Sequence, residues 1–344
     1  MSDSDEDNDA NLPSRDECEK RCQKFATVTG TDTALAMFYL QDRDWDLERA
    51  LNAFFGGSSQ DSTDASSKPV EEETPSQSDV VSDSEPHRFR LLSWNIDGLD
   101  DSNLKSRTKG VCDIINRDNP HMVFLQEVIP KSLKLIEKLC PQYQAIPGGR
   151  DDYFTAVLLK SGSVEFESSN IVQFFSSLME RNLLGVKCKI KGVPFLVMTS
   201  HLESCKEHSR ERINQLKKAF SLMAKAGDDR SVIFGGDLNL RDPELDKAGG
   251  LPEGVLDLWE ITGKRPEAKF TWDLQRNDNL EWNMKFRPRC RFDRLYLRHS
   301  KLKPAIKPVY FELVGIERLT SCQRFPSDHW GILTHFDILD RVDK

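Results

Sequence analysis

From residue 89 onward, short apolar runs alternate with longer amphipathic stretches. Eight runs read as strands: FRLLSWNI from Phe89, MVFLQEV from Met122, FTAVLLK from Phe154, NLLGVKCKI from Asn182, VPFLVMTSHL from Val193, RSVIFGGDLNL from Arg230, RCRFDRLYLRH from Arg289 and HWGILTHFDIL from His329. NLKSRTKGVCDIINRD, PKSLKLIEKLC and HSRERINQLKKAFSLMAKA space their apolar residues three and four apart and read as helices. Many strands with only a few long helices predict an α/β sandwich, with two sheets in the core and helices outside.

Residues 15–56 have helical texture in three short pieces. RDECEKRCQKFATVT puts Cys18, Cys22 and Phe25 on one face, and TDTALAMFYLQ has Asp32 as its N-cap. DWDLERALNAFFGG starts after an Asp, carries Trp45, Leu47, Ala50, Leu51 and Phe54, and ends in glycines. Three such helices make a bundle with a marginal core. Residues 57–88 are rich in Ser, Asp, Glu and Pro and bury too little to fold, so a disordered acidic linker is expected. Its DVVSDSE segment has the form of a short partner-binding motif, although a plain linker accounts for it better. Residues 1–14 are expected to be a disordered acidic tail.

Composition sharpens this division. The chain has 344 residues and a net charge of −8, but residues 1–88 hold 21 acids against 8 bases and residues 89–344 hold 35 against 40. A basic larger domain behind an acidic appendage suits a polyanion-binding protein. No apolar run approaches the roughly 20 residues of a spanning helix, so no membrane role is expected. The acidic start lacks the basic and apolar segments of a signal peptide, which predicts an intracellular protein. The eight cysteines are scattered; Cys18 and Cys22 have no second pair at zinc spacing, and all eight are read as reduced thiols.

The chemistry collects where strands end. LLSWNIDG, VFLQEV, VMTSHLES, VIFGGDLN, RFDR and SDHW each close an apolar run with unusual polar residues. Buried carboxylates are costly unless paired or metal-bound, so six such ends in one domain point to a site. If these segments stay extended, Asn95 and Asp97, Asp237 and Asn239, and Ser327 and His329 each face one way. Oxygen ligands, amides and imidazoles favour Mg²⁺ or Mn²⁺ over zinc. Phosphodiester hydrolysis needs a metal, a base for water and donors for developing charge, and the set offers all three.

SWNIDGL, LQE, SHLES, GGDLNLRD and SDHW, in this order, resemble the endonuclease/exonuclease/phosphatase superfamily with its deoxyribonuclease I-like fold. YFTAVLLK, GGDLNLRDPELDKAGGLP, FTWD and RFPSDHWG narrow the resemblance to the tyrosyl-DNA phosphodiesterase 2 family. ALAMFYLQDRDWDLERALNAFF resembles a ubiquitin-associated (UBA) domain. The resemblance implies a four-layer α/β sandwich over residues 89–344, preceded by a small three-helix UBA-like bundle over 15–56. Leu238 stands where that family often has Thr and should point away from the site.

Further implications are residue by residue. Glu127 should bind Mg²⁺ (Mn²⁺ is the alternative), with Asp97 helping through water. Asp237 should be the general base. Asn95 and Asn239 should donate to phosphate oxygens, and His329 should stabilise developing charge. Asp293 is the expected orienter of His329, and Asp328 of His201. Tyr153, Trp272 and Phe292 should line a path for single-stranded DNA. Arg241 with Leu240, and the segment His201, Leu202, Glu203, Ser204, Cys205 and Lys206, should hold the 5′ end.

The implied activity is Mg²⁺-dependent hydrolysis of the 5′-phosphotyrosyl bond between DNA and trapped topoisomerase II, in the nucleus with some cytoplasmic presence. A monomer that binds ubiquitin through its head is expected. The alternatives are an abasic-site endonuclease or another nuclease of the superfamily, and a ubiquitin-binding adaptor with a degenerate catalytic fold.

Overall fold

The computed structural model describes residues 15–29, 36–37, 40, 45–55, 87–282, 286–302 and 305–339. The expected acidic tail, the Asp32 cap, the DVVSDSE segment and the linker up to residue 86 lie outside these residues. The chain divides into two units, Met1–Val80 and Val81–Lys344.

In the first unit, helices α1 (Arg15–Thr29) and α2 (Leu47–Phe55) pack together, and Ala36, Met37 and Leu40 between them are helical. Cys22, Phe25, Ala36, Leu40, Trp45 and Ala50 form its core, with Cys18 at the edge, as the helical spacing predicts. Asp46 caps α2 by accepting from the Arg49 N–H at 2.9 Å. Arg21 donates to the Trp45 carbonyl at 2.8 Å, which ties α1 to the turn before α2.

The second unit contains two six-stranded sheets. The first has β1 (Arg88–Asn95), β2 (Met122–Val128), β3 (Tyr143–Pro147), β4 (Phe154–Lys160), β13 (Ile306–Val314) and β14 (Gly331–Ile338), in the order β13-β14-β1-β2-β4-β3. The second has β5 (Val164–Gln173), β6 (Asn182–Ile190), β7 (Val193–Ser200), β8 (Ser231–Asp237), β9 (Val255–Asp257) and β12 (Asp293–Arg298), in the order β5-β6-β7-β8-β12-β9. A small ribbon pairs β10 (Trp272–Asp273) with β11 (Arg289–Cys290). The core between the sheets includes Leu91, Phe124, Val186, Phe195, Ile233 and Leu295. Helices α3 (Leu104–Asp118) and α4 (Pro130–Leu139) cover the outer face of the first sheet through Val111, Ile115 and Ile136. Helix α5 (Ser209–Lys225) covers the second through Leu216, Phe220 and Met223. The result is the expected four layers.

All eight strand runs form strands, with trimmed ends. Strand β1 takes in Arg88, which the sequence reading leaves in the linker. The RCRFDRLYLRH run splits into β11 and β12, and HWGILTHFDIL enters its strand only at Gly331. Strands β3, β5, β9, β10 and β13 fall outside the eight runs, and for β5 and β13 the reason is physical. Both are edge strands: β5 is exposed along nearly its whole length, and β13 carries Pro308 at a register shift, a proline position only an edge tolerates.

The topology gathers the strand ends. Strands β1 and β2 run parallel with α3 between them, and β7 and β8 run parallel with α5 between them. Parallel strands joined by a helix finish on the same side, so Asn95, Glu127, His201 and Asp237 emerge together. Strands β12 and β14 run antiparallel to β8 and β1, so their beginnings reach the same rim; Asp293 lies opposite Asp237 in register. Trp94 braces this rim, because its indole N–H donates to the His329 carbonyl at 2.9 Å. Gly315 stands at φ +77, and a Cβ there would overlap the Trp94 ring. Gly315→Ala should therefore cost about 2 kcal/mol or more, read by urea unfolding; a loss below about 0.5 kcal/mol, the usual surface value, would contradict this packing.

Candidate active site

Asp237 ends β8 at the centre of the rim and is 1% exposed. Its Oδ2 accepts from Asn95 Nδ2 at 2.9 Å, and His201 Nε2 lies 3.2 Å from the same oxygen. His329 Nε2 approaches it to 3.7 Å. Burial by itself raises the Asp237 pKa, but His201, His329 and the Asn95 hydrogen bond outweigh burial and hold it well below the usual carboxylate range. His329 turns its other nitrogen, Nδ1, to Asp293 Oδ2 at 2.8 Å. Burial lowers the His329 pKa, but the charges of Asp293, Asp237 and Asp328 raise it well above the ordinary value. These charges favour the protonated ring, and Asp293 orients it as expected, with Nε2 turned toward Asp237.

Asn95 departs from the expected role. Its Nδ2 also donates to Glu127 Oε1 at 3.1 Å, so both hydrogens bridge carboxylates instead of standing free for phosphate. Glu127 sits at φ +53, where the β2–β4 register shifts. Such a left-handed, bulged residue is re-aimed out of the pleat. Asp97 and Asn239 are also left-handed, at φ +51 and +47.

The expectation that extended pleats pair i with i+2 needs correction. Asn95 Oδ1 accepts from the Asp97 N–H (3.0 Å), Asp237 Oδ1 from Asn239 N–H (3.0 Å), and Ser327 Oγ from His329 N–H (3.1 Å). Side-chain turns, not strand alternation, make these pairs. Ser327 is a brace: its hydroxyl donates to the Asn95 carbonyl at 2.6 Å. Leu238, between the paired residues, is buried among core residues and points away from the site.

Carboxylates crowd one side of the pocket. Burial, then the nearby charge of Asp328, pushes Asp97 up to about 8 despite Arg107. Burial also raises Glu127, with Asp328 adding and His201 opposing. This oxygen-only set has too little positive charge around it, which fits a hard divalent cation held by Glu127 with Asp97. Asp237, Asp293 and His329 also bring ligand atoms within 4.8 Å of one another. That trio suits a cation less well, because His329 Nδ1 is committed to Asp293.

Asp328 does not orient His201. Its Oδ2 accepts from the Trp272 indole at 3.1 Å, whereas His201 is bound to Asp237. Trp272 packs on Phe292 with centroids 5.5 Å apart, and Arg241 lies 5.3 Å over Phe292. Tyr153, across the pocket, lies under Arg181 at 5.0 Å, with its ring 6.4 Å from that of His201. The Leu202 and Leu240 side chains are buried in the α5-side core, which leaves only their backbone to face the pocket. Glu203 is also fully buried; its carboxylate holds Ser177 Oγ at 2.6 Å and Leu178 N at 2.9 Å. Ser204 faces Asn239 Nδ2 at 3.3 Å, and Cys205 and Lys206 are exposed.

Two buried arginines escaped the sequence reading. Arg212 on α5 donates to the carbonyls of Glu203 (2.8 Å) and Cys205 (2.7 Å) and to Glu244 Oε2 (3.0 Å). Glu244 in turn accepts from the Arg241 N–H at 2.9 Å, which couples the two segments that flank Asp237. Arg107 on α3 donates to the carbonyls of Asp97 (3.0 Å) and Pro326 (3.3 Å), joining the Asp97 turn to the Ser327–His329 turn. A signal was available: each arginine falls on the apolar stripe of its helix.

Residues 92–329 match the Endonuclease/Exonuclease/phosphatase family, and residues 19–60 match a UBA-like domain. Tyrosyl-DNA phosphodiesterase 2 of Homo sapiens is 40% identical over 336 residues, covering 92% of each chain. The Xenopus laevis enzyme of that name is 40% identical over 350 residues, with 93% of this chain and 94% of the relative covered. Among solved structures, D. rerio TDP2 complexed with single strand DNA product superposes with a TM-score of 0.71 at 42% identity, covering 73% of this chain and 99% of that one. TDP2 from C. elegans gives 0.66 at 33% identity over 98% of both chains.

The His329–Asp293 pair is testable by titration. Because the native His329 pKa is raised, the pair stabilises the fold fully below about pH 6.5 and less as pH climbs through the native value. Asp293→Asn keeps an acceptor and removes the charge. The His329 ring titration, followed by NMR, should move down toward the ordinary value; an unmoved titration would contradict the assignment.

Proposed function

The chain belongs to the endonuclease/exonuclease/phosphatase family, in its tyrosyl-DNA phosphodiesterase 2 branch, and is a phosphodiesterase-type hydrolase with a UBA-like domain; from that premise we propose that it hydrolyses the phosphotyrosyl bond at 5′ DNA ends and leaves a 5′-phosphate. The observation that carries the reading is the convergence of Asn95, His201 and His329 on the buried Asp237, with Glu127 bridged to it through Asn95. The substrate is DNA with a single-stranded 5′ overhang attached to trapped topoisomerase II.

Glu127 and Asp97 would hold Mg²⁺, with Mn²⁺ as a substitute, and the bound ion supplies positive charge to the phosphate oxygens. Asp237 orients the attacking water and takes its proton. Its depressed pKa makes it a weak base, and the good phenolate leaving group keeps the demand on it low. His329, protonated and held by Asp293, donates from Nε2 to the phosphate as charge builds. Asn239, whose amide holds the Leu202 carbonyl and Ser204 Oγ at 3.3 Å each, fixes the 202–204 segment beside Asp237. A tyrosine leaves as a phenolate of pKa near ~10, so no dedicated acid is needed. Trp272, Phe292 and Arg241 form a stacking and cationic flank for the nucleotide arm.

The UBA-like head recruits the enzyme to ubiquitin-marked adducts, and the work of repair places it in the nucleus, with some in the cytoplasm. Glu127→Ala should abolish Mg²⁺-dependent release of tyrosine from a 5′-tyrosyl oligonucleotide, weaken Mg²⁺ binding seen by calorimetry, and leave ubiquitin binding intact. Undiminished cleavage by this variant would contradict the metal assignment, and absence of cleavage by the parent would contradict the function.

A further inference from the structure

We infer that the loop joining β5 to β6, residues 174–181, docks the polypeptide arm of the adduct through Phe175 and Leu178. This rests on the tyrosyl-DNA reading above, since only that substrate has a polypeptide arm. Phe175 is 97% exposed and Leu178 78% exposed, the two most exposed large apolar side chains among the described residues.

The loop that presents them is fixed. Ser177 Oγ donates to Glu203 Oε2 at 2.6 Å and accepts from the N–H groups of Met179 (3.2 Å) and Arg181 (2.8 Å). Leu178 N donates to Glu203 Oε1 at 2.9 Å, and Arg181 Nη2 donates to Ser204 Oγ at 3.0 Å. Apolar side chains on a backbone already held in place bind with little ordering cost. The loop is also continuous with the pocket: Arg181 covers Tyr153, whose ring adjoins His201, and His201 is bound to Asp237.

Charge selects the occupant. The loop carries Glu180 and rests on two more carboxylates, Glu203 and Glu211, the latter accepting from Ser176 Oγ at 3.0 Å, against the single cation Arg181. Such a surface repels a polyanion. The flank around Trp272 and Phe292 carries Arg241 over the Phe292 ring, Arg276 over Trp330, Arg287 on the Leu274 carbonyl and Arg289 beside Asp273, with Asp328 on the Trp272 indole. A substrate with one nucleic-acid arm and one polypeptide arm is therefore sorted: the nucleotides run over the arginine flank, and apolar side chains of the polypeptide arm meet Phe175 and Leu178.

The test compares the parent with the Phe175→Ser/Leu178→Ser double variant on two substrates. One is a 5′-tyrosyl oligonucleotide, and the other is the same oligonucleotide joined through its tyrosine to a short apolar peptide. The double variant should lose about tenfold in kcat/KM on the peptidyl substrate, while its activity on the tyrosyl substrate stays unchanged. An equal loss on both substrates, or no loss on either, overturns the docking surface while leaving the reaction standing. If the parent cleaves neither substrate, the tyrosyl reading itself fails and this inference falls with it.

Discussion

The site depends on one buried carboxylate. Asp237 belongs to the second sheet, and the amide that bonds it, Asn95, belongs to the first. An ionised carboxylate at this depth is tolerable only when its charge is met, and here His201, His329 and Asn95 meet it. The same contacts fasten the two sheets together at the rim. Stability and the proposed chemistry therefore draw on one set of contacts.

Around this centre, rigidity comes from charged groups buried in the helices. Arg107 and Arg212 have fully buried side chains, yet each spends its guanidinium on backbone carbonyls of the site turns. A buried arginine is costly unless its donors are used. Here Arg107 holds the left-handed Asp97 and Arg212 the left-handed Cys205, each through that residue's carbonyl. Strained backbone of this kind persists only where its surroundings over-determine it. Trp94 does the same for the His329 carbonyl from the outer face of the first sheet.

Much of this was legible in the sequence. Apolar runs that end in Asn, Glu, His or Asp marked the strand termini, and the parallel pairs with intervening helices carried them to one rim. The domain order and the layers followed from the same pattern. What was not legible is how the chain turns once a strand stops. Alternation implied that Asn95 and Asp97 share a face, but an Asx turn brings them together; Asp328 was paired on paper with His201, but the turn delivers it to Trp272. Leu202 and Leu240 looked like substrate contacts because they adjoin active residues, yet their side chains complete the core under α5. Sequence proximity to a catalytic residue says little about direction when the backbone enters the left-handed region.

The most direct measurement offers the purified protein with Mg²⁺ a 5′-tyrosyl oligonucleotide, its 3′-tyrosyl counterpart and an abasic duplex, with chelator controls. The account predicts release of tyrosine from the 5′-linked substrate alone, leaving a 5′-phosphate, and none once the metal is chelated. Preferential incision of the abasic duplex, or no release from the 5′-tyrosyl end, would contradict it.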